Sequence, residues 1–134
     1  MNNGLAPDVW GNNGWAFIHY VALGYPDDPS ILDINNYKNF YINIGNVLPC
    51  HTCKKHYNTM IANNPPDTKS RDTLFKWTVD IHNEVNKRLN KKTINYHEAL
   101  NIWTHTKTKT EQNIDIKSII IIILSLIIIY KLFN

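Results

Sequence analysis

Cysteine is scarce in this sequence of 134 residues, where only Cys50 and Cys53 occur. A framework of structural disulfides needs more cysteines at wider spacings. A structural zinc site needs four ligands, usually as two such pairs. The C-x-x-C spacing therefore favours thiol–disulfide exchange. Two readings stay open beside it: two small buried cysteines that are neighbours by chance, and a zinc site that adds His56 and one distant histidine.

Other common signals are also missing. The sequence has no Gly-x-Gly-x-x-Gly motif, so a Rossmann nucleotide site is not available. No arginine-rich stripe accompanies the net charge of +3, so we expect no nucleic-acid partner. Residues 1–7 lack the basic and apolar stretches of a signal peptide. No strand-like alternation of apolar and polar residues competes with a helical reading.

What the chain does contain is apolar residues at helical spacing. Four stripes recur every three or four residues and are separated by prolines or glycines, with Ser70 or Asp72 available to cap the fourth helix. A shorter fifth helix is expected over residues 96–103. The pattern predicts an all-α fold, a four-helix bundle with a short fifth helix. The stripes are Trp15, Ile18, His19 and Ala22; Ile34, Tyr37, Tyr41, Ile44 and Leu48; His56, Tyr57 and Met60; and Leu74, Trp77, Ile81, Val85 and Leu89.

The end of the chain has a different composition. We expect one compact domain over residues 1–106, a polar Thr- and Lys-rich linker over 107–117, and a C-terminal hydrophobic helix over 118–133. The uncharged run 118–130 would span roughly 20 Å as a helix, which is short of a ~30 Å hydrocarbon core. It is nevertheless apolar all round and flanked by lysines. We therefore predict a single-pass membrane anchor that leaves the preceding domain cytosolic. The alternative is a segment that is buried against a partner protein.

The two cysteines follow Pro49, which cannot continue the preceding helix and is tolerated at the start of the next. Cys50 and Cys53 would then lie in the first turn of a helix, where unpaired N–H groups and the helix dipole favour a thiolate. The neighbouring residues His51, Lys54, Lys55 and His56 add positive or potentially positive charge. This environment lowers a thiol pKa and speeds disulfide exchange.

A dithiol needs an acceptor for its electrons, and aromatic and histidine residues are the place to look. Each is individually more typical of a core than of a ligand site. Together, planar rings with side-chain amides beside them suit a planar heterocycle held inside a helical bundle. Lys87, Arg88 and Lys91 follow closely and could meet a pyrophosphate. The ring-bearing candidates are Trp15, His19, Trp77, His82 and Trp103.

Three motifs resemble those of one known family, the Erv/ALR FAD-dependent sulfhydryl oxidases. Residues 10–19 (WGNNGWAFIH) resemble its opening motif, 49–53 (PCHTC) its redox-active pair, and 82–89 (HNEVNKRL) its third motif. Trp103 falls where a family tryptophan closes the flavin pocket. The motifs occur in family order and spacing, and the resemblance covers about residues 7–104.

The resemblance implies an enzyme that forms disulfides in protein thiols and passes the electrons through FAD to O2, which gives H2O2. Cys50 and Cys53 would be the catalytic pair, with Cys50 attacked by the incoming thiolate and Cys53 lying against the isoalloxazine. A homodimer and no metal are also implied. The residues expected to bind FAD are Gly11, Trp15, His19, His82, Asn83, Val85, Asn86, Lys87, Lys91 and Trp103.

The sequence departs from the family pattern in two places. Val79 and Tyr96 stand where many members carry a second cysteine pair. No distal C-x-x-C shuttle is present, so the expected partner is a protein thiol or a separate dithiol protein. The composition resembles family members from large DNA viruses. The alternative function is a membrane-anchored thiol–disulfide carrier, or a metal-binding adaptor, without flavin.

Overall fold

The computed structural model describes residues 4–104 and, further along the chain, residues 123, 125–126 and 129–131. The first of these stretches contains five helices. They are α1 (Pro7–Leu23), α2 (Ile31–Val47), α3 (His51–Asn63), α4 (Arg71–Arg88) and α5 (Tyr96–Thr104). The prediction of a helical fold with four long helices and a short fifth is confirmed at this level.

The helix starts follow from local sequence. Pro7 occupies the first turn of α1, where its missing N–H costs nothing. Ser30 and Ser70 form capping boxes with Asp33 and Thr73 at the starts of α2 and α4. Of the two caps considered for α4, Ser70 is therefore the one used. Cys50 caps α3, with its Sγ accepting the Cys53 N–H at 3.2 Å.

Buried hydroxyl and indole groups tie the helices together. The Tyr41 hydroxyl of α2 donates to the Ile18 carbonyl of α1 at 3.0 Å, and the Tyr57 hydroxyl of α3 donates to the Tyr41 carbonyl at 2.8 Å. The Trp77 indole of α4 donates to the Asn64 carbonyl at the end of α3. Each bond satisfies a polar group that burial would otherwise penalise. Trp77 is thus a core residue that also anchors the end of α3.

Helix α1 packs mainly against α4, and α2 against α3, with α5 touching both α1 and α4. Gly45 permits the close approach of α2 and α3, because a Cβ there would overlap the side chains of Asn58 and Tyr57. The core contains apolar and aromatic side chains from all five helices. This arrangement places α1, α4 and α5 side by side, which is what assembles the site described below.

The membrane-anchor prediction is wrong. Among the residues that the structure describes, no helix is long and apolar enough to cross a bilayer. The physical reason is length, since a helical run of thirteen residues, 118–130, spans only about 20 Å. The prediction that the domain lies on the cytosolic side depended on this anchor and is therefore withdrawn. Most of the predicted segment 118–133, and all of the predicted linker 107–117, lie outside the described residues.

Candidate active site

The first part of the site is a disulfide between Cys50 and Cys53 at the start of α3, with Cα atoms 5.1 Å apart. Cys50 is the cap residue and is 8% exposed, whereas Cys53 in the first turn is half-buried. Because both sulfurs are engaged in this bond, neither is a thiolate ligand for zinc in this state. The sequence prediction that the pair lies at a helix N-terminus agrees with this placement.

No negatively charged side chain lies near the disulfide in the first turn of α3. The first turn of α3 has no acidic residue, and His51 and Lys55 are exposed while Lys54 and His56 are half-buried. The positive end of the helix dipole and these side chains both stabilise a thiolate over a thiol. On reduction, the pair is therefore suited to release a thiolate leaving group.

The second part of the site is an aromatic cluster built by α1, α4 and α5. The Trp15 and His82 rings are stacked, with centroids 4.1 Å apart and planes within 4°. The His19 and Trp103 rings are also stacked, at 4.8 Å and 26°. Four of the predicted ring-bearing residues therefore meet in one place, although they are separated by up to 88 positions in the sequence.

A chain of hydrogen bonds fixes the protons of the two histidines. The Thr78 hydroxyl donates to the Phe75 carbonyl at 2.6 Å, so it accepts from His19 Nδ1 at 2.9 Å. His19 Nδ1 therefore carries the proton, and neutral His19 accepts at Nε2 from His82 Nδ1 at 3.0 Å. This assignment rests on donor and acceptor geometry. Thr78 was missed by the sequence analysis, although a hydroxyl four residues before His82 on an apolar stripe was the available signal.

Burial keeps both imidazoles neutral. Desolvation, and then the neighbouring His82, lower the pKa of His19 to about 3. Desolvation, and then the charge of Lys91, lower the pKa of His82 to about 4. Neutral rings in a partly buried cluster retain flat apolar faces and directed hydrogen bonds. Both properties suit the stacking and edge recognition of a heterocycle.

The cluster also contains an unmet donor. Trp103 Nε1 is buried and, within the described part of the chain, has no hydrogen-bond partner. A buried indole N–H normally has an acceptor. Stacked planar faces, directed imidazoles and a spare N–H donor are the chemistry that a flavin or adenine ring needs. The residues present therefore fit the expected FAD.

The other predicted cofactor residues lie on α1, on α4 and, for Lys91, in the loop after α4. The Asn83 amide exchanges two hydrogen bonds with the Ile94 backbone, at 2.8 and 3.1 Å, so it holds the loop after α4. Lys87 is exposed and pairs with Glu84 at 3.7 Å, and Lys91 is exposed. The half-buried members of this set are Gly11, Asn83, Val85 and Asn86.

One neighbour of the disulfide was not anticipated from sequence. Gly4 forms an isolated antiparallel bridge with Cys50, and the Leu5 N–H donates to the Pro49 carbonyl at 2.7 Å. Residues 4–5, which we call the N-terminal arm, are therefore paired with the backbone that leads into the redox pair. No sequence pattern identifies such a short pairing.

Comparison with known proteins agrees with this geometry. A probable FAD-linked sulfhydryl oxidase, R368 of Acanthamoeba polyphaga mimivirus, is 39% identical over 81% of this chain and 78% of its own length. The FAD-linked sulfhydryl oxidase of an African swine fever virus isolate is 33% identical over 75% of this chain and 85% of its own length. Both relatives are viral proteins.

Solved structures give the same relationship. The crystal structure of the yeast Erv1 core matches with a TM-score of 0.72 at 28% identity, and the match covers 76% of this chain and 86% of that one. The family model described as Erv1/Alr matches residues 12–112. This range contains the second and third motifs entirely and the opening motif except for its residues 10 and 11. The chain therefore belongs to the Erv1/Alr family.

Proposed function

We propose that this protein is a FAD-linked sulfhydryl oxidase that forms disulfide bonds in protein thiols. The observation that carries the proposal is the disulfide at the N-terminus of α3 in the same domain as a partly buried cluster of stacked aromatic and imidazole rings. Membership of the Erv1/Alr family and the names of the viral relatives support it.

We assign FAD to the aromatic cluster. Trp15, His82 and Trp103 would supply stacking faces and an N–H donor, while Lys91 would bring positive charge toward the pyrophosphate. The neutral His19, held by Thr78, would keep the His82 ring oriented. The further residues that we place at this cofactor from the family resemblance are Gly11, Asn83, Val85, Asn86 and Lys87.

The redox pair would act by disulfide exchange. A substrate thiolate attacks Cys50 Sγ, the bond between Cys50 and Cys53 breaks, and Cys53 leaves as a thiolate. A second substrate thiolate attacks the substrate sulfur of the mixed disulfide and releases the Cys50 thiolate. Substrate leaves as a disulfide, and two electrons remain on the enzyme dithiol. Bound FAD would supply the two-electron acceptor for this dithiol and the reaction with O2, so that 2 R-SH + O2 would give R-S-S-R + H2O2.

A homodimer is part of the proposal. Phe17 on α1 is 58% exposed and packs edge-on against half-buried Phe40 of α2. Such an exposed aromatic face is typical of a two-fold interface. Tyr41 of α2, by contrast, is fully buried within its own chain and does not contribute to this face.

Thiol-dependent oxygen chemistry tests the proposal. The full-length chain with FAD, given dithiothreitol, should consume O2 and release one H2O2 for each disulfide formed. Cys53→Ser should abolish turnover while retaining bound FAD, because the cofactor residues are untouched. Wild-type protein that binds FAD but consumes no O2 with dithiothreitol would contradict the oxidase and favour a carrier.

A further inference from the structure

The N-terminal arm packs against the backbone of the residue whose sulfur the proposed reaction attacks first. Cys50 is 8% exposed, although the residues that follow it, His51 and Thr52, are exposed. Gly4 lies so close that a Cβ there would overlap the Pro49 carbonyl and come within 3.3 Å of the Cys50 Cα. The arm therefore occupies the backbone edge that carries Cys50, and any other extended segment that pairs with this edge must compete with it.

The contact between arm and redox pair is made through the backbone. Cys50 is extended, with φ −132° and ψ 122°, and pairs with Gly4 in antiparallel fashion. The Leu5 N–H donates to the Pro49 carbonyl at 2.7 Å. Gly4 itself has φ +80°, a conformation that few residues other than glycine adopt. Backbone pairing of this kind recognises an extended chain with little regard to its side chains.

We propose that the extended Pro49–Cys50 backbone is a docking edge for the substrate. The occupant is an extended protein segment that carries the thiols to be oxidised, and the N-terminal arm takes its place when substrate is absent. The inference rests on the proposed oxidase function and names its substrate class. Pairing at this edge brings a substrate cysteine beside Cys50 Sγ, and its thiolate then attacks as described above.

The docking edge is compatible with an oxidase that accepts thiols in many different protein sequences. Because the pairing uses main-chain groups, many sequences can occupy it, provided that the segment around the cysteine is extended. A thiol in a folded helix cannot present these backbone groups. The edge thus selects unfolded or flexible segments, which are the ones that still need a disulfide.

Two arm variants and a pair of peptides test the proposal. Gly4→Ala should displace the arm by steric overlap, and Leu5→Pro should remove the N–H that binds the Pro49 carbonyl. The probes are a short peptide with two cysteines and the same peptide with methylated backbone nitrogens beside its first cysteine. The measured quantity is kcat/KM of the full-length, FAD-loaded protein for each peptide, divided by its value for dithiothreitol.

Wild-type protein should prefer the unmethylated peptide by roughly three- to tenfold, the range expected for a net backbone hydrogen bond. Both arm variants should raise the ratio for the unmethylated peptide by a similar factor and raise it less for the methylated one. Gly24→Ala is the matched control, since a Cβ there makes only ordinary contacts at 3.5 and 3.6 Å. It should leave the ratio unchanged.

Equal use of the two peptides by the wild-type protein would overturn the docking edge. A lower peptide ratio in both arm variants, with melting temperatures unchanged, would also overturn it, because the arm would then assist catalysis instead of competing with substrate. Failure of the wild-type protein to oxidise dithiothreitol would have a different meaning. That result would remove the proposed oxidase itself.

Discussion

At the scale of single residues, the two hydrogen bonds of the Thr78 hydroxyl determine how the histidines of the site are protonated. Its hydroxyl is committed to the Phe75 carbonyl, which makes its oxygen the acceptor for His19. Because the Thr78 hydroxyl donates to Phe75, the ring protons of both His19 and His82 lie on Nδ1. Thr78 is therefore a positioning residue for the cofactor site.

Replacing Thr78 by valine should weaken both the fold and cofactor binding. Thr78→Val leaves His19 Nδ1–H without an acceptor in a buried site, which costs roughly 1–3 kcal/mol. The loss should appear in the free energy of unfolding by urea and in a weaker Kd for FAD. In nitrogen NMR spectra, the protonated fraction of His19 Nδ1 should fall.

Thr78→Ser is the control, because it retains the hydroxyl and should keep the tautomers of wild-type protein. If Thr78→Val keeps the same His19 tautomer and the same FAD affinity, the hydrogen-bond chain has no positioning role.

The two buried histidines also predict how stability depends on pH. The pKa values of about 3 for His19 and about 4 for His82 lie below the ~6.5 of an unfolded chain. Between these values the unfolded state binds more protons, so stability is complete above pH ~6.5 and falls as pH drops. The loss between pH ~6.5 and ~5 should be about 1.5 kcal/mol for each histidine.

Urea unfolding of the full-length chain at a series of pH values measures this slope. His82→Gln should flatten it, whereas His97→Gln, at an exposed position, should leave it unchanged. If stability falls with decreasing pH as steeply in His82→Gln as in wild-type protein, folding does not lower the pKa of His82.

At the scale of helices, side-chain hydrogen bonds join α4 to α5 in the region where the family resemblance led us to note the absence of a second cysteine pair. Tyr96 at the start of α5 donates to Asp80 Oδ1 of α4 at 2.7 Å, and Lys76 lies 5.8 Å from the centre of its ring. This hydrogen bond is the main reason that the pKa of Tyr96 is raised to about 12. The two amide bonds from Asn83 to Ile94 add a second tie.

Tyr96→Phe should therefore loosen α5 without disturbing the core. Because the bond lies at a partly exposed position, we expect a loss of about 0.5–1.5 kcal/mol in the free energy of unfolding, with faster amide exchange in α5. Asp80→Asn keeps an acceptor for the same hydroxyl and should cost less than Tyr96→Phe. An α5 exchange rate that is identical in Tyr96→Phe and wild-type protein would remove this tie from the account.

The helices themselves were predictable because their signals are local. Prolines, the capping serines and the spacing of apolar residues set the five helices without reference to distant parts of the chain. The partners of each helix were not predictable, since periodicity tells which face is apolar and not what covers it. Tyr41 illustrates the limit, because its spacing placed it on an apolar stripe of α2 but did not indicate that its hydroxyl bonds to the Ile18 carbonyl of α1.

The site was predictable to the extent that its motifs resemble a family. Trp15, His19, His82 and Trp103 were expected at one cofactor, and their rings do meet. Thr78 and the N-terminal arm were missed, because a single hydrogen bond and a two-residue pairing leave no repeated pattern. The anchor prediction was wrong because it gave more weight to the apolar composition of residues 118–130 than to their length, which is too short to span a bilayer.

At the scale of the whole molecule, the proposed dimer gives a further prediction. Phe17→Glu places a charge on the exposed aromatic face of α1, which should disfavour a two-fold interface. Full-length wild-type protein should sediment as a dimer at micromolar concentration, and Phe17→Glu should shift it toward monomer with its flavin retained. The exposed Tyr20→Glu, one helical turn away, tells how far the interface extends. Wild-type protein that sediments as a monomer would contradict the dimer.

The absorption spectrum of the purified full-length chain tests the central claim most directly. A FAD-linked oxidase should be yellow, with a flavin band at about 450 nm that disappears when dithiothreitol is added without oxygen and returns when air is admitted. The Cys53→Ser protein should keep the band and resist this bleaching. A colourless wild-type protein that does not take up added FAD would contradict the account and leave a flavin-free thiol–disulfide carrier in its place.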